Sequence, residues 1–267
     1  MDPTYTKDDL RIAYQLNWSL SLFAVKQIPE RSEWLDELKS KTEADGVRIL
    51  DHHLRGDATH QFLLSTLPSA APMAIVRSVK GRLQNLLGTM GCKVFRRNYW
   101  LQTVGQANSE TLERYVGRQA ERHRMADCRV QSLLESLQYC NHSVDLSEVQ
   151  ASSHGRYLVN YHFVFENADR LSDIRDDALK CTRQMIIRTA ERHRHRLARI
   201  GLTSNHFHML LGSTMDVDPL SIGMWYMNNV AFAHDSKRVL APSFFVGTFG
   251  PYDRMAIRRF LSEPDKL

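Results

Sequence analysis

Two short patterns in this 267-residue chain hold side chains that could act together on a phosphate ester. The first, Asn205-His206-Phe207-His208-Met209, reads as a strand. Alternate residues of a strand point to one face. His206 and His208 therefore present two imidazoles side by side, while Phe207 points away. Two imidazoles can hold a divalent cation when a third ligand is supplied and positions stay open for substrate. The second pattern lies on a predicted helix, 109–124, where Tyr115 and Gln119 are four residues apart and share a face. A phenol can attack a phosphodiester and leave a covalent intermediate. The amide oxygen of Gln119 could complete the ligand set, and the cation would favour the attacking phenolate and neutralise charge on the phosphate. Each pattern alone is ordinary: histidine pairs are common on surfaces, and a helical tyrosine is commonly a packing residue.

The elements that must position these groups come in two sets. Residues 99–105 lie over 244–250 at an offset of 145, and Leu112, Arg114 and Tyr115 then fall on Ile257, Arg259 and Phe260 without a gap. His60-Gln61-Phe62 lies over His206-Phe207-His208 at 146, Pro72 and Ile75 over Pro219 and Ile222 at 147, and Tyr14 and Asn17 over Tyr157 and Asn160 at 143. Four blocks in one order at a nearly constant offset indicate an internal repeat. In this alignment the first half keeps Tyr115 and Gln119, but Phe62 replaces the second histidine. The second half keeps both histidines, but Phe260 and Pro264 replace the tyrosine and the glutamine. His52 and His53 are sequence neighbours that face opposite ways on the preceding strand, so they do not restore the lost ligand. The losses are complementary. If the last helix of the first half docks on the sheet of the second, one composite site survives: Tyr115 and Gln119 facing His206 and His208. The mirror site, with His60, Phe62 and Phe260, would be degenerate.

In the first half the patterning predicts a strand at 11–24, a helix at 30–43, strands at 46–55 and 59–67, a helix from Pro72 to about Leu87, a strand at 95–104 and the helix at 109–124, capped by Ser109. The second half mirrors it, with a strand at 156–166, helix 171–193, strands 195–203 and 205–212, helix 219–235, strand 243–249 and helix 252–262. The polar stretch 137–155 reads as a linker between domains at 1–136 and 156–267, with 126–139 a further candidate helix. The fold class is α+β, with antiparallel sheets carrying helices on one face and the halves paired about a pseudo-twofold axis as an intramolecular dimer. Hydrophobic content of 43% supports a real core. No apolar run approaches the roughly 18 residues of a membrane helix, and the polar start is no secretory signal, so a cytoplasmic protein is expected. The four cysteines lack paired spacing, which argues against a zinc site or redox pair. A net charge of +5 is compatible with a polyanionic partner.

Taken together, these residues resemble the HUH single-tyrosine transposases, and the REP-associated tyrosine transposases most. The matching residues are His206-Phe207-His208 with its relic His60-Gln61-Phe62, then Val79-Lys80-Gly81-Arg82, Tyr99 to Gly105, and Glu113 to Gln119; they span roughly 11–123 and 156–262. The resemblance implies a ferredoxin-like sheet in each half. It implies cleavage and rejoining of single-stranded DNA through a 5′-phosphotyrosine on Tyr115, with Mg²⁺ or Mn²⁺ held by His206, His208 and, four residues after the tyrosine, Gln119. It also implies a hairpin-bearing DNA partner, association with the nucleoid, and sites shared between paired subunits. The chain departs from the family in having two domains and at most one intact site, so nicking is as open as full transposition.

Single strands are held by basic grooves and aromatic stacking. The candidates are Arg77, Lys80, Arg82, Arg96, Arg97, Tyr99, Arg118 and Arg122, with Arg192, Arg194, Arg196, Arg258 and Arg259 in the second half. Two other readings stand beside the enzyme: a catalytically inactive, domesticated DNA-hairpin-binding protein, and a regulator that forms mixed dimers with a related transposase.

Overall fold

The computed structural model describes residues 2–56, 58–88 and 93–252. In the first half, strands β1 (Arg11–Gln15) and β2 (Asn17–Ala24) precede helix α1 (Leu35–Glu43) and the hairpin of β3 (Val47–Arg55) and β4 (Thr59–Thr66). Helices α2 (Pro72–Val76) and α3 (Arg82–Leu87) follow, joined by a π turn at Arg77–Gly81, and then strand β5 (Phe95–Val104) and helices α4 (Ser109–Gly117), α5 (Gln119–Arg122) and α6 (Cys128–Leu137). Short strands β6 (Tyr139–Cys140) and β7 (Gln150–Ala151) lead into β8 (Arg156–Leu158), β9 (Asn160–Asn167), α7 (Asp176–His193), β10 (Arg196–Leu202), β11 (His206–Gly212), α8 (Pro219–Ala233) and β12 (Leu240–Thr248). The predicted helix at 252–262, with Arg258, Arg259 and Phe260, lies outside the described residues from 253 onward.

The strands form two six-stranded sheets, ordered β3-β4-β2-β5-β8-β7 and β6-β10-β11-β9-β12-β1. Both contain the same series: a hairpin, a central strand, a last strand and then an incoming strand that runs parallel to it. The incoming strand comes from the other half. Strand β1 pairs with β12, and β8 pairs with β5. The strands predicted at 11–24 and 156–166 are therefore each broken, at Leu16 and Val159, and the pieces serve different sheets. The correspondence extends to register. Leu20 sits opposite Phe62 and Leu101, and Phe163 sits opposite Met209 and Val246. Each hairpin also carries one register shift at the same point, between Ile49 and Asp51 and between Leu197 and Arg199.

The crossing explains why the block at 99–105 matches 244–250 so well. Thr103 Oγ1 bonds the Phe249 carbonyl at 2.6 Å and accepts from the Asn160 amide, while Thr248 Oγ1 bonds the Val104 carbonyl at 2.7 Å and accepts from the Asn17 amide. A Cβ on Gly105 would come within 2.9 Å of the Thr248 carbonyl oxygen, and one on Gly250 would run into that of Thr103. The repeated Thr-x-Gly is the hydrogen-bonded junction between the sheets, and glycine is what allows the two backbones to approach.

One face of each sheet enters a shared apolar core. Trp18, Leu20, Leu22, Phe62 and Leu64 pack with Trp34 and Leu38, and Tyr161, Phe163, Phe165, Phe207, Met209 and Leu211 pack with Ile186, Met227 and Val230. The other face of the second sheet is covered too. A smaller cluster of Val116, Leu146, Ala198, Leu210 and Phe249 joins α4 to β10 and β11. The expectation of helices on one face therefore does not hold for this sheet, because the helix covering its second face comes from the other half. The stretch 137–155, read as a linker, is tied down: β6 pairs with β10, β7 with β8, and Leu146 is buried. Among the described residues, no helix is long and apolar enough to cross a membrane.

Candidate active site

Helix α4 begins at a fixed point on the second half. Asn108 is its cap, with the side chain accepting from the Thr111 amide at 2.9 Å. Ser109, the residue expected to cap, instead donates its own backbone N–H to the Gly250 carbonyl at 2.9 Å. The helix then lies across β10. A Cβ on Gly201 would meet the Val116 carbonyl oxygen at 2.6 Å and Gln119 Cγ at 2.8 Å, so the sheet is bare of side chain where the helix crosses it. Glu113 Oε2 lies 3.4 Å from Arg199 Nε at the edge of this contact. The predicted single helix is interrupted at Arg118, whose φ of −106° and ψ of 18° leave the helical region. The short α5 resumes directly after it.

This docking brings the predicted residues together. The half-buried Tyr115 ring stands edge-on to His208, with centroids 5.5 Å apart, and the Arg122 guanidinium lies 4.7 Å from the Tyr115 ring centroid. His206 and His208 are neighbours on β11, their ring centroids 5.1 Å apart. Gln119 is fully buried. Its Nε2 donates to the Tyr115 carbonyl at 3.2 Å, and its Oε1 has no partner.

The imidazoles are oriented from behind. His206 Nδ1 lies 2.7 Å from Asn205 Oδ1 and 3.0 Å from Thr203 Oγ1, and His208 Nδ1 lies 2.9 Å from His162 Nε2 with the two rings stacked. These contacts all use Nδ1, which leaves Nε2 of each ring as the lone pair for a cation, the usual outer-shell arrangement of metal-binding histidines. Burial pushes the pKa of both rings down, reinforced for His208 by its histidine neighbours, and burial also lowers His162. Neutral imidazole is the form that binds metal. Two such nitrogens and an unpartnered buried amide oxygen fit a divalent cation with open coordination positions. Among the described residues, no three His, Cys, Asp or Glu side chains form a ready metal cage.

The sheet registers correct the alignment of the first half. Gly212 lies opposite Asn160 and Ser65 opposite Asn17, which makes Gln61 the counterpart of His208 and Thr59 that of His206. His60 and Phe62 point to the other face, into the core against Trp34. Gln61 Nε2 donates to Ser19 Oγ at 2.8 Å, in the place where His208 meets His162. Both histidine positions are thus replaced in the first half, and His60 is no relic of His206.

The proposed DNA contacts separate into groups. Arg118 and Arg122 lie on the segment that carries Tyr115, both exposed. Arg77, Arg96 and Arg97 are exposed on the first half. Arg82 is engaged with Asp45 through bonds of 2.6 and 2.7 Å, and Arg196 with Glu148 and the Asp145 carbonyl. Lys80 Nζ donates to the Arg97 carbonyl at 2.7 Å, and partial burial holds its ammonium below the usual range. Tyr99, expected to stack on bases, is buried and bonds Ser152 Oγ at 3.1 Å. Its ring packs so closely on Gly155 that a Cβ there would sit 2.6 Å away, so its face is not open to a base. Sequence reasoning missed His162, Asn205, Thr203, Arg199 and His123, whose ring lies 4.9 Å from that of His206. His162 had a partial signal, lying on the predicted strand 156–166, but nothing in the sequence paired that strand with 205–212 as the structure does.

Residues 156–262, about two-fifths of the chain, match the family described as Transposase IS200 like. The likeness to the IS200-like transposases is thus carried by the second half. The transposase-like half supplies His206 and His208, whereas Tyr115 reaches the site from outside the matched residues. No curated protein matches the chain. Among solved structures, a REP-associated tyrosine transposase bound to a REP hairpin is similar over 39% of this chain and 62% of that one, with 14% identity and a TM-score of 0.32. The likeness thus spans less than two thirds of that transposase. A glycine cleavage system transcriptional repressor is similar over 88% of this chain and 98% of that one, at 10% identity and a TM-score of 0.22. Both scores are below the level of a shared fold.

Proposed function

We propose that this protein cuts and rejoins single-stranded DNA through Tyr115, at one site built by both halves of a duplicated transposase that pairs with itself. The observation that carries this reading is the docking of the Tyr115 helix on the sheet that bears His206 and His208, with the Tyr115 and His208 rings 5.5 Å apart. The halves, 1–136 and 156–267, exchange β1 and β8 as subunits of a dimer would, and the matching order, register and bulges of the two sheets support duplication.

In the reaction the Tyr115 phenolic oxygen attacks a backbone phosphorus. The Oη–P bond forms, the P–O3′ bond breaks, and the 3′ oxygen leaves as a hydroxyl with the proton given up by the phenol. A 3′-hydroxyl attacking the phosphotyrosine reverses these steps and rejoins the strand. His206, His208 and Gln119 would hold Mg²⁺ or Mn²⁺, which when bound supplies Lewis-acid neutralisation of phosphate charge. Arg122 places a fixed positive charge beside the attacking ring, and Asn205, Thr203 and His162 fix the imidazole orientations.

A covalent-trapping assay tests the reading. Protein is mixed with Mn²⁺ or Mg²⁺ and labelled hairpin DNA carrying a single-stranded flank, beside Tyr115→Phe. A denaturation-resistant adduct that disappears in the variant is expected. Tight binding without adduct would replace the enzyme with a DNA-hairpin-binding protein.

A further inference from the structure

The first half contains a second polar feature that the chemistry above does not use. His52 and His60 lie on the core-facing side of their sheet, each only 3% exposed, with His52 Nε2 3.1 Å from His60 Nδ1 and the rings stacked. Sheet register gives their counterparts as Ile200 and Phe207, both buried and apolar. The same fold thus closes its core here without histidine. In the first half, two imidazoles stand in these positions beside a cavity of about 580 Å³, whose lining includes Trp34, His52, Leu54, His60, Arg31 and Glu30.

The chemistry of this wall selects its occupant. Burial lowers the pKa of both imidazoles, so the deep wall is neutral and unsuited to an anion. His52 Nδ1 is buried without a partner, an arrangement that costs stability and calls for an explanation. One proton is shared along the His52–His60 contact. If His52 donates, the outer nitrogen of His60 is a donor; if His60 donates, that nitrogen is an acceptor. The pair can therefore meet either kind of group on a flat, uncharged heterocycle. Trp34 and Leu54 add apolar wall, and Arg31 is exposed at the rim, where a phosphate could meet it.

We propose that this cavity is a second, non-catalytic nucleotide site: a base enters against His60, Trp34 and Leu54, and its phosphate rests at Arg31. The inference rests on the reading above only for its preferred source, an unstacked base of the bound single strand. A free nucleotide has the same chemistry.

The test uses the full chain and reads binding alone, so it does not depend on cleavage. His52→Ile with His60→Phe copies the residues that the other sheet uses at these positions. Arg31→Glu leaves both imidazoles in place, reversing an exposed charge and removing a 3.4 Å bond to the His52 carbonyl, and serves if the double variant does not fold. Free deoxynucleoside monophosphates are titrated by calorimetry. Labelled hairpin DNA, intact or with one abasic position moved along its single-stranded flank, is titrated by anisotropy. For the wild type, affinity should fall roughly tenfold when the abasic position meets the cavity, a typical loss for one base contact. The variants should bind intact and abasic strands alike. Monophosphate binding that the variants lose, with no abasic position mattering, would assign the site to free nucleotide. Folded variants that bind every strand and every nucleotide as the wild type does would overturn the proposal. Failure of the catalytic reading shows separately, as absence of a Tyr115 adduct in the wild type.

Discussion

Gly201→Ala is a small change in the second half that should disable a nucleophile in the first. The added methyl would sit 2.6 Å from the Val116 carbonyl oxygen and 2.8 Å from Gln119 Cγ, where ordinary contact begins near 3.4 Å. Gln119 can turn its side chain. The Val116 carbonyl belongs to the helix backbone and cannot turn, so α4 must lift by about 0.8 Å, the difference between the two distances. Tyr115 is the adjacent residue and moves with it. A misplacement near 1 Å can cost on the order of 100-fold in rate, while overpacking of this kind costs about 1–3 kcal/mol of stability. Single-turnover adduct formation at saturating labelled DNA, measured beside urea unfolding and strand affinity, separates these effects. The expected result is folded protein with near-normal affinity and adduct formation slowed roughly 100-fold. A folded variant that forms adduct at the wild-type rate would refute the docking of the tyrosine helix on this sheet as a requirement for cleavage.

His208→Ala should abolish the adduct, whereas Gln61→Ala, at the equivalent position of the first sheet, should leave it; equal loss from both would contradict the division of labour. Chelation with EDTA should remove adduct formation and added Mn²⁺ restore it, and undiminished adduct in EDTA would exclude the metal. Tyr5, fully buried, bonds both the carbonyl and the amide of Leu240 through its hydroxyl; Tyr5→Phe should therefore cost about 1–3 kcal/mol in urea unfolding, and an unchanged midpoint would show that these bonds add nothing net. His195 is buried against the Tyr226 hydroxyl, and burial pushes its pKa down to about 4. Between an unfolded value near 6.5 and about 4, the unfolded chain holds a proton that the folded chain lacks. Stability should fall as pH drops through that window, by up to about 1.4 kcal/mol per pH unit from this residue. His195→Phe should flatten that slope by about one proton, and an unaltered slope would assign it to other groups.

Much of this site is legible in the amino-acid sequence alone, and particular residues show where that legibility ends. The i, i+4 pair Tyr115 and Gln119 and the alternating His206 and His208 need only helix and strand periodicity, and the complementary substitutions are reason to expect a shared site. The alignment of His60 with His206 fails because it matches like residues. Hydrogen-bond register places the equivalence one residue further on, and in a strand one residue reverses the face. Tyr99 misleads in another way. An aromatic residue among arginines looks like a base platform, but Gly155 lies flat on its ring, a contact some fifty residues away in sequence. The exchange of β1 and β8 leaves little local signal. The runs 11–24 and 156–166 keep strand character throughout, and only the hydrogen bonding at Leu16 and Val159 shows that each changes sheet.

That exchange also sets a timetable for synthesis. Strand β1 leaves the ribosome about 230 residues ahead of its partner β12, since Arg11 pairs with Ser243. At roughly 5–20 residues per second, β1 waits about 10–50 s for the strand that receives it. Its sequence suits the delay: Arg11, Ala13 and Tyr14 keep it largely exposed even in the finished sheet. Nor can the first sheet finish early, because β8 must emerge before the edge of β5 is covered. The halves therefore cannot complete one after the other as the nascent chain lengthens, and the second sheet closes only once β12 has emerged to receive β1.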